Sequence, residues 1–171
     1  MSRVITFSRQ FPGYHPKKGQ PTFFVEKIFA GLADIVPSFE IPKDFVDWDW
    51  HEYYNCRSPK FHTIRAGNRW KVGDKFSPRV WGTDVNPKSG KSGPYHSKQI
   101  IIAPDIEVVK VWDIEVFWRG DFQEFVMPSA QTKTTIAELA KNDGLELKNL
   151  LSWFNKPMKG QVICWNNAIE Y

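Results

Sequence analysis

Residues 60–65 read Lys60-Phe61-His62-Thr63-Ile64-Arg65, and Trp70-Lys71-Val72-Gly73-Asp74 follows five residues later. An amine, an imidazole, a hydroxyl and a guanidinium are gathered beside a Gly-Asp turn signal. In an extended segment the period of two puts Phe61, Thr63 and Arg65 on one face and Lys60, His62 and Ile64 on the other. Lys60 and Thr63 therefore converge only if the chain bends between them.

Downstream of this stretch, Val72-Gly73-Asp74 reads as a turn and Lys75 to Trp81 alternates strictly. Lys75, Ser77, Arg79 and Trp81 share one face, Phe76, Pro78 and Val80 the other, and Pro78 favours an edge strand. Residues 82–98, rich in Gly, Pro, Ser and Lys, read as an exposed loop carrying Lys88, Lys91, Tyr95, His96 and Lys98. Gln99 to Ala103 is a short apolar strand. Ile106 to Trp118 reads as one long strand, which suits a strongly curved sheet or barrel.

Upstream, Val4 to Ser8 reads as a strand, and Pro12, Gly13, Pro16, Gly19 and Pro21 break the chain after it. Thr22 caps a helix with Phe24, Ile28 and Leu32 at spacing four, which Gly31 and Pro37 should end. Near the C-terminus, Thr135-Ile136-Ala137-Glu138 is a capping box for a helix that Gly144 stops. Leu147, Leu150, Leu151 and Phe154 stripe a second helix before Pro157, and Gln161 to Trp165 returns as a strand. Strands interrupted by a few helices imply α+β and not an alternating parallel sheet.

The whole chain fits one domain. It has 171 residues, 42% hydrophobic and 25% charged, with eight Trp and thirteen Phe. That aromatic load either fills a core or builds stacking platforms. A net charge of +4 is compatible with a polyanionic partner without requiring one. Cys56 and Cys164 form no Cys-x-x-Cys pair, and His15, His51, His62 and His96 lack metal-ligand spacing. No 18-residue apolar run is present, so a soluble cytoplasmic protein off the membrane is expected. The glycine motifs of dinucleotide enzymes and P-loop proteins and the Gly-x-Ser-x-Gly elbow are missing, and no cofactor is expected.

Lys-x-x-Thr-Ile-Arg followed by Trp and Gly-Asp resembles the signature of ASCH domains, small barrels of the PUA-like superfamily. The resemblance extends to Ile5-Thr6-Phe7, to Phe24-Val25-Glu26-Lys27-Ile28-Phe29-Ala30-Gly31, to Asn142-Asp143-Gly144 and to the closing strand near Ile163. It implies a PUA-like (ASCH) β-barrel with a few flanking helices over residues 1–171. Segments 33–59 and 82–98 then read as insertions, the first carrying Phe45, Trp48, Trp50, Tyr53 and Tyr54 among acidic residues.

ASCH hydrolases acting on acylated cytidine use a Lys, a Thr three residues later and a Glu before the second of two C-terminal helices. Lys60 and Thr63 match, and the Glu position falls on Asp143, one methylene shorter. By this resemblance Lys60 is a base, Thr63 the activated hydroxyl or the group that positions water, and Asp143 the residue that orients the amine or shuttles a proton. Glu115 is the alternative carboxylate. Arg65, Arg79 and Lys98, with Trp70, Trp81 and Tyr95, form a second, basic and aromatic constellation suited to bases or nucleotides. His62 stands beside Lys60 as a candidate for a nucleolytic reaction.

The leading expectation is a module binding a nucleotide or modified base in nucleic acid, RNA ahead of DNA, in a cleft lined by Lys60, Thr63, Arg65 and aromatics. The alternative is an amidohydrolase of 4-acetylcytidine type. Beyond these stand a ribonuclease and a protein-interaction scaffold built on the insertion near Trp48 and Trp50.

Overall fold

The computed structural model describes residues 2–33, 35, 49–55 and 58–171. Phe45, Trp48 and Cys56 lie outside them, as do the side chains of Trp50 and Tyr53, so most of the expected insertion at 33–59 does too. The first half of the chain contributes β1 (Arg3–Phe7), α1 (Phe24–Ala33), α2 (Trp50–Tyr54), β2 (His62–Ala66) and β3 (Lys75–Trp81). The second half contributes β4 (Gln99–Ile101), β5 (Ile106–Glu107), β6 (Lys110–Arg119), β7 (Phe122–Val126), α3 (Ile136–Asn142), α4 (Leu147–Trp153) and β8 (Met158–Cys164). The architecture is mixed α+β. One sheet has the order β1-β3-β4, with β5 also on β3; the other runs β2-β8-β6-β7. Among the described residues no helix is long and apolar enough to cross a membrane.

Three local expectations change. The segment read as one strand over Ile106–Trp118 is two strands in different sheets. β5 pairs with β3 (Phe76↔Ile106), whereas β6 pairs with β8 (Lys110↔Cys164). At the crossing, Val108 donates to the Asp74 carbonyl at 2.8 Å and Val109 to the Cys164 carbonyl at 2.9 Å. Each backbone donor goes to a different sheet, so the chain steps between sheets without stranding a buried amide.

Pro78 sits in the central strand of its sheet and not at an edge, opposite Ile5 of β1. On the other side it falls between the last partner on β5 (Phe76↔Ile106) and the first on β4 (Arg79↔Ile101), while its carbonyl accepts from Ile102 at 2.9 Å. A residue without an N–H is tolerated where one partner strand gives way to the next. β7 has no counterpart in the sequence reading, because this hairpin partner of β6 is only half-covered and Phe122 is exposed.

The core lies between the sheets and under α1. Phe76, Val80, Ile114, Val162 and Ile163 meet Ile28 and Phe29, all fully buried. Trp165 packs on Phe76 with ring centroids 5.7 Å apart, and Trp70 packs on the same ring at 6.0 Å. Much of the aromatic content is therefore core filling. Polar side chains also tie one sheet to the other and to the β2–β3 connection. Gln161 Oε1 accepts from the Trp70 amide at 2.9 Å, and an Arg65 amine donates to the Thr6 carbonyl at 2.8 Å.

Helix α1 continues past Gly31 to Ala33. Gly31 serves a close approach instead of a stop: a Cβ there would collide with the Lys60 carbonyl. The Lys60 amide donates to the Lys27 carbonyl at 2.9 Å, so the chain entering β2 lies directly on the helix.

Gly31→Ala is expected to lower stability. The helix-propensity gain of about 1 kcal/mol is outweighed by overpacking of about 1–3 kcal/mol, because the clash is with backbone that no rotamer relieves. Thermal unfolding against wild type measures it, and a raised melting temperature would refute the close approach.

Candidate active site around Lys60 and Asp143

Lys60 occupies a crevice between α1 and the α3–α4 turn. Its backbone is fixed on one side by Lys27; on the other, Phe61 donates to the Asn142 carbonyl at 2.9 Å and Lys60 bridges Asp143. These contacts hold the chain entering β2 against α1 and the α3–α4 turn. The turn is held by local chemistry. Thr135 caps α3 in a complete capping box with Glu138, and Asp143 ends the helix before Gly144, whose φ is +73°. A Cβ on Gly144 would lie 3.3 Å from the Lys60 Cβ, so glycine there lets the turn close on the lysine.

The side chains then meet. Lys60 Nζ donates to Asp143 Oδ1 at 2.6 Å and to the Asp143 carbonyl at 2.8 Å. Both residues are buried, Lys60 at 1% exposure and Asp143 at 5%. The ammonium also caps the C-terminal end of α3, where a cation is favoured. Aromatic faces enclose it: Nζ stands 4.2 Å from the Phe24 ring centroid and 5.9 Å from that of Phe7.

His62 Nδ1 lies 3.4 Å from the same Asp143 oxygen, out of line for a hydrogen bond. Five buried side-chain polar atoms lack a hydrogen-bond partner among the described residues, and three belong here: both His62 ring nitrogens and Arg65 Nε. Leaving such groups unpaired costs about 1–3 kcal/mol each, so their clustering marks a place built for polar contact.

Burial drives the Lys60 pKa down to about 8. Asp143 pulls it back up, while the Arg65 and Lys27 cations add to the depression. Burial would raise the Asp143 carboxyl, but the Lys60 ammonium beside it outweighs that and holds it below its ordinary value. Burial also pushes His62 down, so its imidazole is neutral at pH 7. The arrangement is an amine near neutral pKa, held by a carboxylate, beside a neutral imidazole. That is what a proton-transferring lysine needs.

Thr63, 5% exposed, follows His62 on β2 and shares the Arg65 face. Arg65 reaches β1, its guanidinium 5.3 Å from the Phe7 ring centroid that also faces Lys60. The structure thus groups Lys60, Asp143, His62 and Arg65 and places Thr63 on the strand between them. Glu115, the alternative carboxylate, pairs instead with Lys159 at 2.9 Å across β6 and β8.

The second constellation does not form one cleft with the first. Trp70 is a core residue. Arg79 and Trp81 project from the opposite face of β3 to Phe76, Pro78 and Val80, with Tyr95 over Trp81 and Lys98 exposed beside them. Phe7, Phe24 and Lys27 are site residues that sequence reasoning took for strand and helix packing. Phe24 also lines a cavity of about 170 Å³ with Arg9, Phe23, Glu26 and Asp49. Phe23 has a φ of +56°, a costly conformation for an aromatic residue, and it borders a second cavity of about 250 Å³ reaching Lys27 and Leu145.

No family model matches the chain, and no curated protein and no solved structure is significantly similar to it.

Lys60 has a folded pKa of about 8, below its ordinary 10.5. Between those values the unfolded chain holds more protons, so unfolding free energy rises with pH across that window. Urea unfolding of wild type and Lys60→Met from pH 8 to 10.5 should show the wild type gaining stability relative to the variant. A constant difference would mean that the lysine stays charged throughout.

Proposed function

We propose that this chain is a PUA-like domain of ASCH type, its two sheets corresponding to the barrel of that fold, and that it hydrolyses the exocyclic amide of an acylated cytosine such as 4-acetylcytidine. The observation that carries this reading is the buried 2.6 Å contact between Lys60 and Asp143, residues 83 positions apart that the motif resemblance had paired. A polynucleotide cleft uniting all the candidate residues finds less support, since Trp70 is buried in the core and Arg79 and Trp81 face away from Lys60. A cytoplasmic setting is part of the proposal, in keeping with Cys164 as a buried thiol.

In the proposed reaction neutral Lys60 takes a proton from water as its oxygen adds to the acyl carbon. Thr63 positions that water, and Arg65 with its unpaired Nε faces the charge developing on the acyl oxygen. The C–N bond to the exocyclic nitrogen then breaks, and the Lys60 ammonium returns the proton to the departing amine. The products are the free cytosine amine and a carboxylic acid. Asp143 holds the ammonium between the two transfers, and neutral His62 leaves that carboxylate ionised for Lys60.

Incubation with 4-acetylcytidine, followed by chromatography, is the direct test. Lys60→Ala and Asp143→Ala should each lose about 10²–10⁴-fold in kcat/KM, the usual worth of a positioned acid–base group. Wild-type kcat/KM should rise with pH and level off above about 8, as Lys60 loses its proton. Absence of turnover by wild type at high enzyme concentration would sink the reading for this substrate.

A further inference from the structure

The second basic and aromatic group lies on the outer face of the first sheet. In β3, Phe76, Pro78 and Val80 face the core, so Ser77, Arg79 and Trp81 face outward, beside Thr6 of β1 and Gln99 and Ile101 of β4. Lys60 and Arg65 both pack on Phe7, which projects from the other side of β1 to Thr6. The two groups are thus on opposite sides of one sheet.

On the outer face an exposed tyrosine ring stands over a half-buried tryptophan. Tyr95 is 88% exposed, and its ring centroid lies 5.4 Å from that of Trp81 with the planes tilted by 49°. Its φ of +67° is unfavourable for an aromatic residue, so the loop stores strain in holding this ring out. The loop is built to do so. Asn86 receives the Gly90 amide at 2.8 Å and donates through its side chain to the His96 carbonyl at 3.1 Å, while Ser97 Oγ bonds both Gly93 and Asp84. Arg79 is braced by Ser77 Oγ at 3.1 Å and Gln99 Oε1 at 3.3 Å. Residues 82–98 carry Lys88, Lys91 and Lys98 against one acid, Asp84, and all three lysines are exposed.

We propose that a single-stranded nucleic acid binds across this face, its bases stacking on Tyr95 and Trp81 and its phosphates contacting Arg79, Lys88, Lys91 and Lys98. Charge complementarity selects a polyanion, and the exposed Tyr95 ring beside the half-buried Trp81 selects unpaired bases, since a duplex keeps its base faces stacked within itself. The platform requires no hydrolytic activity at Lys60, and either proposal stands if the other fails.

Fluorescence anisotropy with a labelled oligouridylate of about twelve nucleotides tests it. Tyr95→Ala should weaken binding about 5- to 150-fold, the span reported for loss of one base–aromatic stack, while Tyr95→Phe should stay close to wild type. The slope of log affinity against log salt should fall by roughly 0.7 for each of Lys88, Lys91 and Lys98 changed to Gln that contacts a phosphate. A duplex of the same length should bind less tightly. The proposal is overturned if wild type does not bind at low salt, if Tyr95→Ala binds as wild type does, or if the duplex binds equally well. Because Tyr95 is exposed, its replacement leaves the core intact, and unchanged thermal unfolding of the variant verifies that.

Discussion

A lysine ammonium removed from water must be compensated where it lies, and in this chain the compensation is Asp143. The cost of burying either charge alone is several kcal/mol, so neither group is tenable without the other. The surrounding structure follows from keeping them together. Gly31 lets the Lys60 backbone lie on α1, Gly144 lets the α3–α4 turn close over it, and the capping box at Thr135 fixes where α3 begins. Phe7 and Phe24 exclude solvent from the ammonium. A buried pair of this kind is a weak device for stability, since well-packed apolar side chains of similar volume serve as well or better. Its presence, with polar atoms of His62 and Arg65 at its side, accords with the proton chemistry proposed for it.

The same residues tie the sheets together. Arg65 leaves β2 in one sheet and bonds the Thr6 carbonyl of β1 in the other, passing over Phe7 as it does so. Gln161 of β8 holds the Trp70 amide in the connection between β2 and β3, and the backbone crossing at Val108 and Val109 makes a second bridge between the sheets. A shift between the sheets would therefore move Arg65 relative to Lys60. Fold and candidate site share one set of polar contacts, so the packing of the sheets also fixes the positions of the site's side chains.

Local signals with a mechanism were legible in the sequence: the Thr135–Glu138 box, the Gly73 turn and the Thr22 cap all form as their chemistry requires. The meeting of Lys60 and Asp143 was legible only through the motif resemblance, because nothing within one segment reports a contact 83 residues away. What failed were inferences about neighbours. Alternation over Ile106–Trp118 continues through the crossing, since both sheets bury the same face of the chain, and so one strand was read where there are two. Pro78 reports a missing N–H but not whether an edge or an interruption accommodates it. Trp70, in the connection between β2 and β3, enters the core, whereas Trp81 at the end of β3 lies on its outer face, although both flank the motif.

The carboxylate at position 143 is one methylene shorter than the Glu of the ASCH pattern that the chain resembles, a change that by itself would draw the charge away from the lysine. Here the backbone makes up the difference. With glycine following it, the turn approaches until even a methyl group at 144 would crowd the Lys60 Cβ, and the Asp143 carbonyl joins its side chain in binding Nζ. A longer acid is not needed when the helix end itself is brought to the amine. The short side chain also has one fewer rotatable bond, so less entropy is lost in fixing it. Close backbone approach and a short acid thus form a single solution: lengthening the side chain without withdrawing the turn would force the carboxylate past the nitrogen it now meets at 2.6 Å.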